Sequence, residues 1–259
     1  FLPAETFIEV EGEILRDDND AAMADAYAIV FFNNCIMALF KSAIYMIDGR
    51  DIELIQEDVD VAATIIGLAR YNDDYSKSAG PSMMFAKDIT DHPENRNVTL
   101  NAAGDTVTAM NPNYNLGFAT RKSILKVGRR LFSCSIPLSH IFGFCRNVRK
   151  VIYGAKHTIV LVRKGTDDDA MWRAIPAANP VQHVGKVVLT KLSLWLPVMT
   201  PTIPEEEHLL SFMSQGGKSM LSWLTTTTDA VQSAVNGLFT WHIASQQGVY
   251  CASTLCTIK

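Results

Sequence analysis

Three groups of residues in this sequence have types and spacings that bear on chemistry: Gly217-Lys218-Ser219, two runs of aspartate, and six histidines. Gly217-Lys218-Ser219 imitates the end of a phosphate-binding loop, where backbone amides cradle a phosphate and a lysine neutralises it. That loop needs a glycine five residues earlier and a preceding strand. Here the position holds Phe212 and the preceding pattern is helical, so a turn is expected. Asp17, Asp18 and Asp20, like Asp167, Asp168 and Asp169, offer the oxygen ligands that Ca²⁺ takes. Neither run has the glycine at the sixth position and the glutamate at the twelfth that a helix–loop–helix calcium site requires, so both read as solvated loop charge. His92, His140, His157, His183, His208 and His242 lie far apart, with no His-x-His beside a glutamate; they read as surface or hydrogen-bonded core residues. Cys35, Cys134, Cys145, Cys251 and Cys256 are odd in number and form no Cys-x-x-Cys pair, the pattern of buried free thiols in a reducing compartment. Asn97-Val98-Thr99 is a formal glycosylation acceptor without a secretory signal to expose it. No Gly-x-Ser-x-Gly or His-Glu-x-x-His motif is present. The expectation is a protein that is not an enzyme, with no catalytic residue, no cofactor and no metal.

Charge is distributed unevenly. Residues 121–164 hold eleven of the 23 Lys and Arg and none of the 27 Asp and Glu, so the net charge of −4 hides a basic segment set against an acidic remainder. Such a molecule suits charge-steered association, with copies of itself or with a polyanion. A DNA-contacting surface is the less favoured reading, because the segment has no Arg-rich tail and few aromatics among its basic positions. The favoured reading is an interface in which Arg129, Arg130, Arg146, Arg149 and Lys150 meet the acidic row Glu9, Glu11 and Glu13 of a neighbouring copy.

The elements that must carry these residues are mostly strands. A chain of 259 residues, 48% hydrophobic and 19% charged, is long enough to bury a full core and too apolar to be disordered. Its best apolar run, 27–40, is interrupted by Asn33 and Asn34 and falls short of the ~20 residues of a membrane span. The chain begins at Phe1 with neither Met nor a signal-peptide pattern, and reads as cut out of something longer. Residues 6–15 alternate, Ile8, Val10 and Ile14 against Glu9, Glu11 and Glu13, which is the period of a half-buried strand. Residues 27–32 read as a buried strand, and 43–47 with 52–55 flank the hairpin turn Asp48-Gly49. Residues 57–71 repeat at helical spacing; 72–115 read as long surface loops with short strands at 98–100 and 106–110. Further strands are expected at 122–127, 130–136, 157–163 and 186–196. In the last, Val187, Leu189, Lys191, Ser193 and Trp195 oppose Val188, Leu192, Leu194 and Leu196. Ser139 is placed to cap a short helix through 144. Pro204 to Glu207 opens a helix to about 215, ended by Gly216-Gly217, and 239–244 and 249–258 read as strands. The expected class is all-β, an antiparallel β-sandwich of jelly-roll type with short helical insertions.

Several runs carry a family resemblance: 135–145 (Ser135-Ile-Pro-Leu-Ser-His-Ile-Phe-Gly-Phe-Cys145), 150–158 (Lys150-Val-Ile-Tyr-Gly-Ala-Lys-His-Thr158), and Leu161 to Lys164 followed by Asp167 to Ala170. With weaker echoes at 7–12, 31–40, 70–77 and 186–191, they resemble the double jelly-roll major capsid proteins of Polinton or Maverick elements and related DNA-virus sequences. The resemblance spans roughly residues 5–200. It implies a first jelly-roll domain over 1–204, then a linker helix and the opening strands of a truncated second jelly roll over 205–259, with 239–243 resembling its start. It implies a homo-oligomer: a trimeric capsomer where the second jelly roll is present, flanked by neighbouring capsomers and a penton protein. It also implies a place in the virion capsid, intracellular during assembly and not secreted, with the loops of 72–115 decorating the outer surface. The family carries a whole second jelly roll, whereas this chain stops at Lys259, so the sequence reads as a fragment or as a truncated product.

The expected function is therefore a structural capsid protein that self-assembles through jelly-roll packing into capsomers of an icosahedral shell. The alternative is a β-sandwich ligand- or carbohydrate-binding attachment module, for which Trp172, Trp195, Trp223 and Trp241 are the aromatic candidates; their ordinary place is the core. A metal-dependent jelly-roll enzyme is the least supported class.

Overall fold

A computed structural model describes residues 1–21, 29–88, 98–100, 107–110, 115–125, 130–173, 185–217 and 220–225. After a single 3-10 turn at Pro3–Glu5, the chain runs β1 (Phe7–Arg16), β2 (Ile29–Phe31), α1 (Cys35–Ala38), β3 (Phe40–Ile47) and β4 (Arg50–Ile55). Then come α2 (Val59–Arg70), α3 (Asp73–Lys77), β5 (Val98–Leu100), β6 (Val107–Met110), α4 (Leu116–Ile124) and β7 (Leu131–Pro137). The remainder is α5 (Leu138–Ile141), α6 (Gly143–Asn147), β8 (His157–Arg163), β9 (Met171–Arg173), β10 (Gly185–Trp195) and α7 (Ile203–Ser214). Two three-stranded antiparallel sheets, ordered β10-β1-β7 and β4-β3-β8, are accompanied by two separate antiparallel pairs, β2-β9 and β5-β6. The protein is thus mostly β, with helices between the strands, an arrangement compatible with a β-sandwich.

The alternation in β1 does what its period dictates: Ile8, Val10 and Ile14 are buried while the intervening glutamates stay half-exposed. The inward faces of β1, β7 (Phe132, Cys134, Ile136) and β3 (Ala43, Tyr45, Ile47) enter one core with α1, α2 and residues 138–148. Phe31, Phe85, Phe142 and Phe144 are among the fully buried side chains of that core. Each such ring contributes about 1.5–3 kcal/mol by leaving water. The β3–β4 hairpin turns on Asp48 (φ 49°) and Gly49 (φ 75°), the two positive φ values that a type I′ turn needs. Cys35, Cys134 and Cys145 are free, buried thiols, and burial holds the titration of Cys134 up near 12. No helix of the described residues is long and apolar enough to cross a membrane.

Four sequence expectations are corrected. The stretch 72–115 is not all surface loop: it forms α3, and Met83, Met84 and Phe85 enter the core. Residues 122–127 do not begin a strand: α4 runs to Ile124, because the Asn115 side chain accepts the Phe118 amide and starts a helix inside what reads as loop. Phe118 and Arg121 then fall one turn apart on its buried face. Ser139 is not a cap; it lies within α5, with Pro137 at the capping position, and the chain breaks to an extended residue at Phe142 before α6 begins. In β10 the register passes from Glu11↔Lys191 to Gly12↔Leu189, leaving Thr190 as an unpaired bulge. One extra residue flips the faces beyond it, so Val187 and Leu189 share their side with Leu192 and Leu194, while Lys191 and Trp195 turn outward. Gly12 sits at the bulge, where a Cβ would come within 2.6 Å of the Phe132 ring and of the Val188 carbonyl oxygen.

The hairpin, α2, β7, β8 and α7 form as expected, α7 with a capping box between Thr202 and Glu205. Expectations for 239–244, 249–258, Lys218, Ser219, Asn97, His92, His183, His242, Cys251, Cys256 and Trp241 lie outside the described residues.

Candidate functional site

Two features stand out: a cleft lined by arginines, and an edge strand, β10, whose apolar far half is exposed among the described residues. The cleft is built from the α5–α6 segment outward. Glu53 of β4 is buried, and its carboxylate accepts the Gly143 amide on Oε1 and the Phe144 amide on Oε2, both at 2.9 Å. A carboxylate on the first free amides of a helix satisfies them and favours its dipole, so Glu53 fixes where α6 starts. That places Arg146, whose Nε donates to the Ser139 carbonyl at 3.1 Å. Below it, His140 is fully buried between the Asn34 Oδ1 (3.1 Å from Nε2) and the Tyr71 hydroxyl (3.2 Å from Nδ1). Asn34 in turn donates to the Thr64 hydroxyl at 2.9 Å. Every group is satisfied when His140 carries its proton on Nε2 and Tyr71 donates to Nδ1. Burial first, then the charges of Arg146 and Arg70, push the His140 pKa down to about 3, so the ring is neutral.

A cavity of about 390 Å³ opens over this layer, lined by Leu2, Ala4, Glu5, Arg70, Ser139, Cys145, Arg146 and Arg149. Arg70 ends α2, Arg149 follows α6, and Glu5 closes the 3-10 turn. Three arginines and one glutamate therefore line it, with the buried Glu53 carboxylate behind Arg146. Among the described residues none of the three forms an ion pair, and the Arg146 Nη2 atom is enclosed without a hydrogen-bond partner. Burial and the nearby Arg70 charge lower the Arg146 pKa, the mark of a cation held beside another. The arrangement can bind an anion; it holds no nucleophile beside a base. No group of histidine, cysteine, aspartate or glutamate fit to hold a metal occurs among the described residues.

No family model, curated protein or solved structure matches this chain.

The residues expected at an interface separate into three environments. Arg146 and Arg149 come together in the cleft, joined by Arg70 and Glu5, which the charge pattern did not single out. Arg130 is buried, 3% exposed, and so presents little surface to a neighbour. Arg129 lies outside the described residues. Lys150 is exposed and its Nζ donates to the Met220 carbonyl at 3.2 Å. Glu9 and Glu11 both accept from Lys191 of the adjacent strand at 3.0 Å, and Glu13 continues their outward row. Much of the remaining basic segment is neutralised within the molecule. Arg121 binds Asp88, Arg163 binds Asp167 at 2.5 Å, and Lys164 binds Asp169 at 2.9 Å. The Asp167 carboxylate also accepts the Val187 amide at 2.7 Å, tying β8 to β10, a task beyond that of solvated loop charge.

The second feature is the far half of β10. Leu192 and Leu194 pair with Val10 and Ile8, both core residues, and point to the same side, yet they are 53% and 45% exposed. Leu196, Val198 and Met199 extend the exposed apolar stretch, and α7 buries none of its residues. On the outward side, Trp195 is 52% exposed rather than core. Its ring stacks on Phe7 at 6.0 Å, and its Nε1 donates to Glu9 at 3.1 Å. Trp223 packs edge-on against Phe144 at the rim of the core.

Proposed function

We propose that this chain is a structural capsid protein, a jelly-roll sandwich that packs against copies of itself to build capsomers of an icosahedral shell. The observation that carries the reading is the inward half of β10, which no other described residue covers. A β-sandwich that ended its assembly as a monomer would roof Leu192 and Leu194 as it roofs Ile8 and Val10, since exposed apolar patches on edge strands invite pairing with other chains. The two antiparallel sheets sharing one core and the run of resembling motifs from 135 to 170 support it. On this reading residues 192–214 are interface, contributed to a neighbouring sandwich in a homo-oligomer, trimeric where a second jelly roll completes the unit.

The test is assembly state. Wild-type protein should run as trimers or larger multimers in light scattering and show particles by negative-stain microscopy. Leu192→Lys with Leu194→Lys should leave a folded monomer. Particles unchanged by both substitutions would sink the reading. The attachment-module alternative has one observation in its favour, the exposed Trp195 stacked on Phe7 with Glu9 and Lys191 alongside, the make-up of a sugar platform. A glycan array on which Trp195→Ala abolishes a specific signal from small oligomers would decide for it.

A further inference from the structure

The arginine cleft has no task in shell assembly as proposed above, and its chemistry is independent of that reading. Guanidiniums in a folded protein are normally matched: Arg121 has a carbonyl or carboxylate for each of its three nitrogens. Arg70, Arg146 and Arg149 converge on one cavity with a single carboxylate, Glu5, and no ion pair among the described residues. The surplus is anchored at Arg146, with Arg70 and Arg149 exposed at its rim. Arg146 is positioned by the Ser139 carbonyl, and α6 beneath it is pinned by Glu53. Arg70 leaves α2 one residue before Tyr71, which is locked to His140. Arg146 is thus held in place for an anion, while the exposed Arg70 and Arg149 are free to close on it, and planar guanidinium forks suit oxyanions, which accept two parallel hydrogen bonds from each. Three arginines against Glu5 in the lining and the buried Glu53 behind Arg146 leave a positive surplus that calls for an anionic ligand, and three separate guanidiniums can each engage one of its acidic groups. The volume, about 390 Å³, falls in the small-molecule range and is too large for a single monatomic ion.

We propose that this cleft is a binding site for a compact polyanion, a small molecule bearing two or more phosphate or carboxylate groups, gripped by Arg70, Arg146 and Arg149. Arg149 and Arg70 reach the ligand from the exposed rim, and Arg146 meets it from below. The Leu2 and Ala4 side contributes apolar contact.

Titration calorimetry and thermal melting of the whole chain test this, with pyrophosphate and citrate as probes at ionic strength matched with sodium chloride. Wild type should bind at least one of them and melt at higher temperature in its presence. Arg70→Ala and Arg149→Ala, which remove no hydrogen bond seen in the fold, should each weaken binding by roughly tenfold or more while far-UV circular dichroism stays unchanged. Lys156→Ala, a basic residue outside the cleft, should bind as wild type. Pyrophosphate binding without citrate binding identifies a phosphate ligand, and the reverse identifies a carboxylate ligand. Equal affinity leaves a site that reads charge alone, still through these arginines. The proposal is overturned if neither probe binds beyond the salt control, or if Arg70→Ala and Arg149→Ala bind as tightly as wild type.

Discussion

Arg121 and Arg146 carry the same guanidinium into two opposite settings. Arg121 is 0% exposed, and its Nε donates to the Phe31 carbonyl at 2.9 Å, Nη1 to the Ala86 carbonyl and Nη2 to Asp88 at 2.7 Å. Asn115, the cap of α4, donates to the same Asp88 oxygen at 2.7 Å, so cap, cation and carboxylate form one unit. Arg146 is half-buried with an orphaned nitrogen, and it feels the charge of Arg70 on one side and of the Glu53 carboxylate on the other. The first setting closes structure; the second leaves charge available. A buried cation is tolerated only when its donors are all satisfied, so an unsatisfied one beside a cavity points to a partner outside the protein.

The comparison breaks most readily at Arg121. Arg121→Met should cost about 3–5 kcal/mol in urea unfolding, because it leaves the Phe31 and Ala86 carbonyls unpaired inside the protein and takes one of two donors from Asp88. A loss under about 1 kcal/mol would mean that water replaces the guanidinium easily and that the contrast is false. Glu53→Gln should cost about 1–3 kcal/mol, since an amide oxygen replaces only one arm of the carboxylate on the two α6 amides. If Glu53 positions the cleft, the same change should also weaken polyanion binding.

His140 gives a readout by pH. Its folded pKa, about 3, lies below the ordinary histidine value of 6.5, so the unfolded chain binds the extra proton first. Stability contributed by the neutral ring is therefore complete above pH 6.5 and declines as pH falls towards 3, by up to about 1.4 kcal/mol per unit. His140→Gln should flatten that slope in midpoints measured between pH 6.5 and 4. Arg70→Ala should raise the His140 titration, visible by NMR, because it removes one of the two charges that oppose protonation. The smallest effect belongs to Arg149→Ala, whose stability should stay within about 0.5 kcal/mol of wild type. A larger loss would make Arg149 structural and move it to the Arg121 side of the comparison.

Particular elements show what could be read in advance. The alternation of Ile8, Val10 and Ile14, the Asp48-Gly49 turn and the helical period of α2 follow from local periodicity, and each forms where expected. The strand expected at 122–127 fails because its local pattern was overridden by Asn115 upstream and by Asp88 across the fold. The faces of β10 could not be assigned from alternation, since Thr190 adds one residue that only the pairing with β1 reveals. A hint existed in Lys191, a charge placed by simple alternation on the same side as Val187 and Leu189. Of the cleft, Arg146 and Arg149 stand out in the charge pattern, while Arg70, Glu5 and Glu53 carry no spacing signal.

The sequence by itself determined the mostly β character, the hairpin, the two longest helices and the concentration of basic residues in one segment. These depend on side-chain periodicity, turn chemistry and composition, all of which act over a few residues. Tertiary structure alone decided which of those basic residues are spent on Asp88, Asp167 and Asp169 and which are left facing a cavity. Neutralising a charge takes a partner within about 4 Å, and nothing in local sequence says which distant carboxylate the folded chain will bring that close.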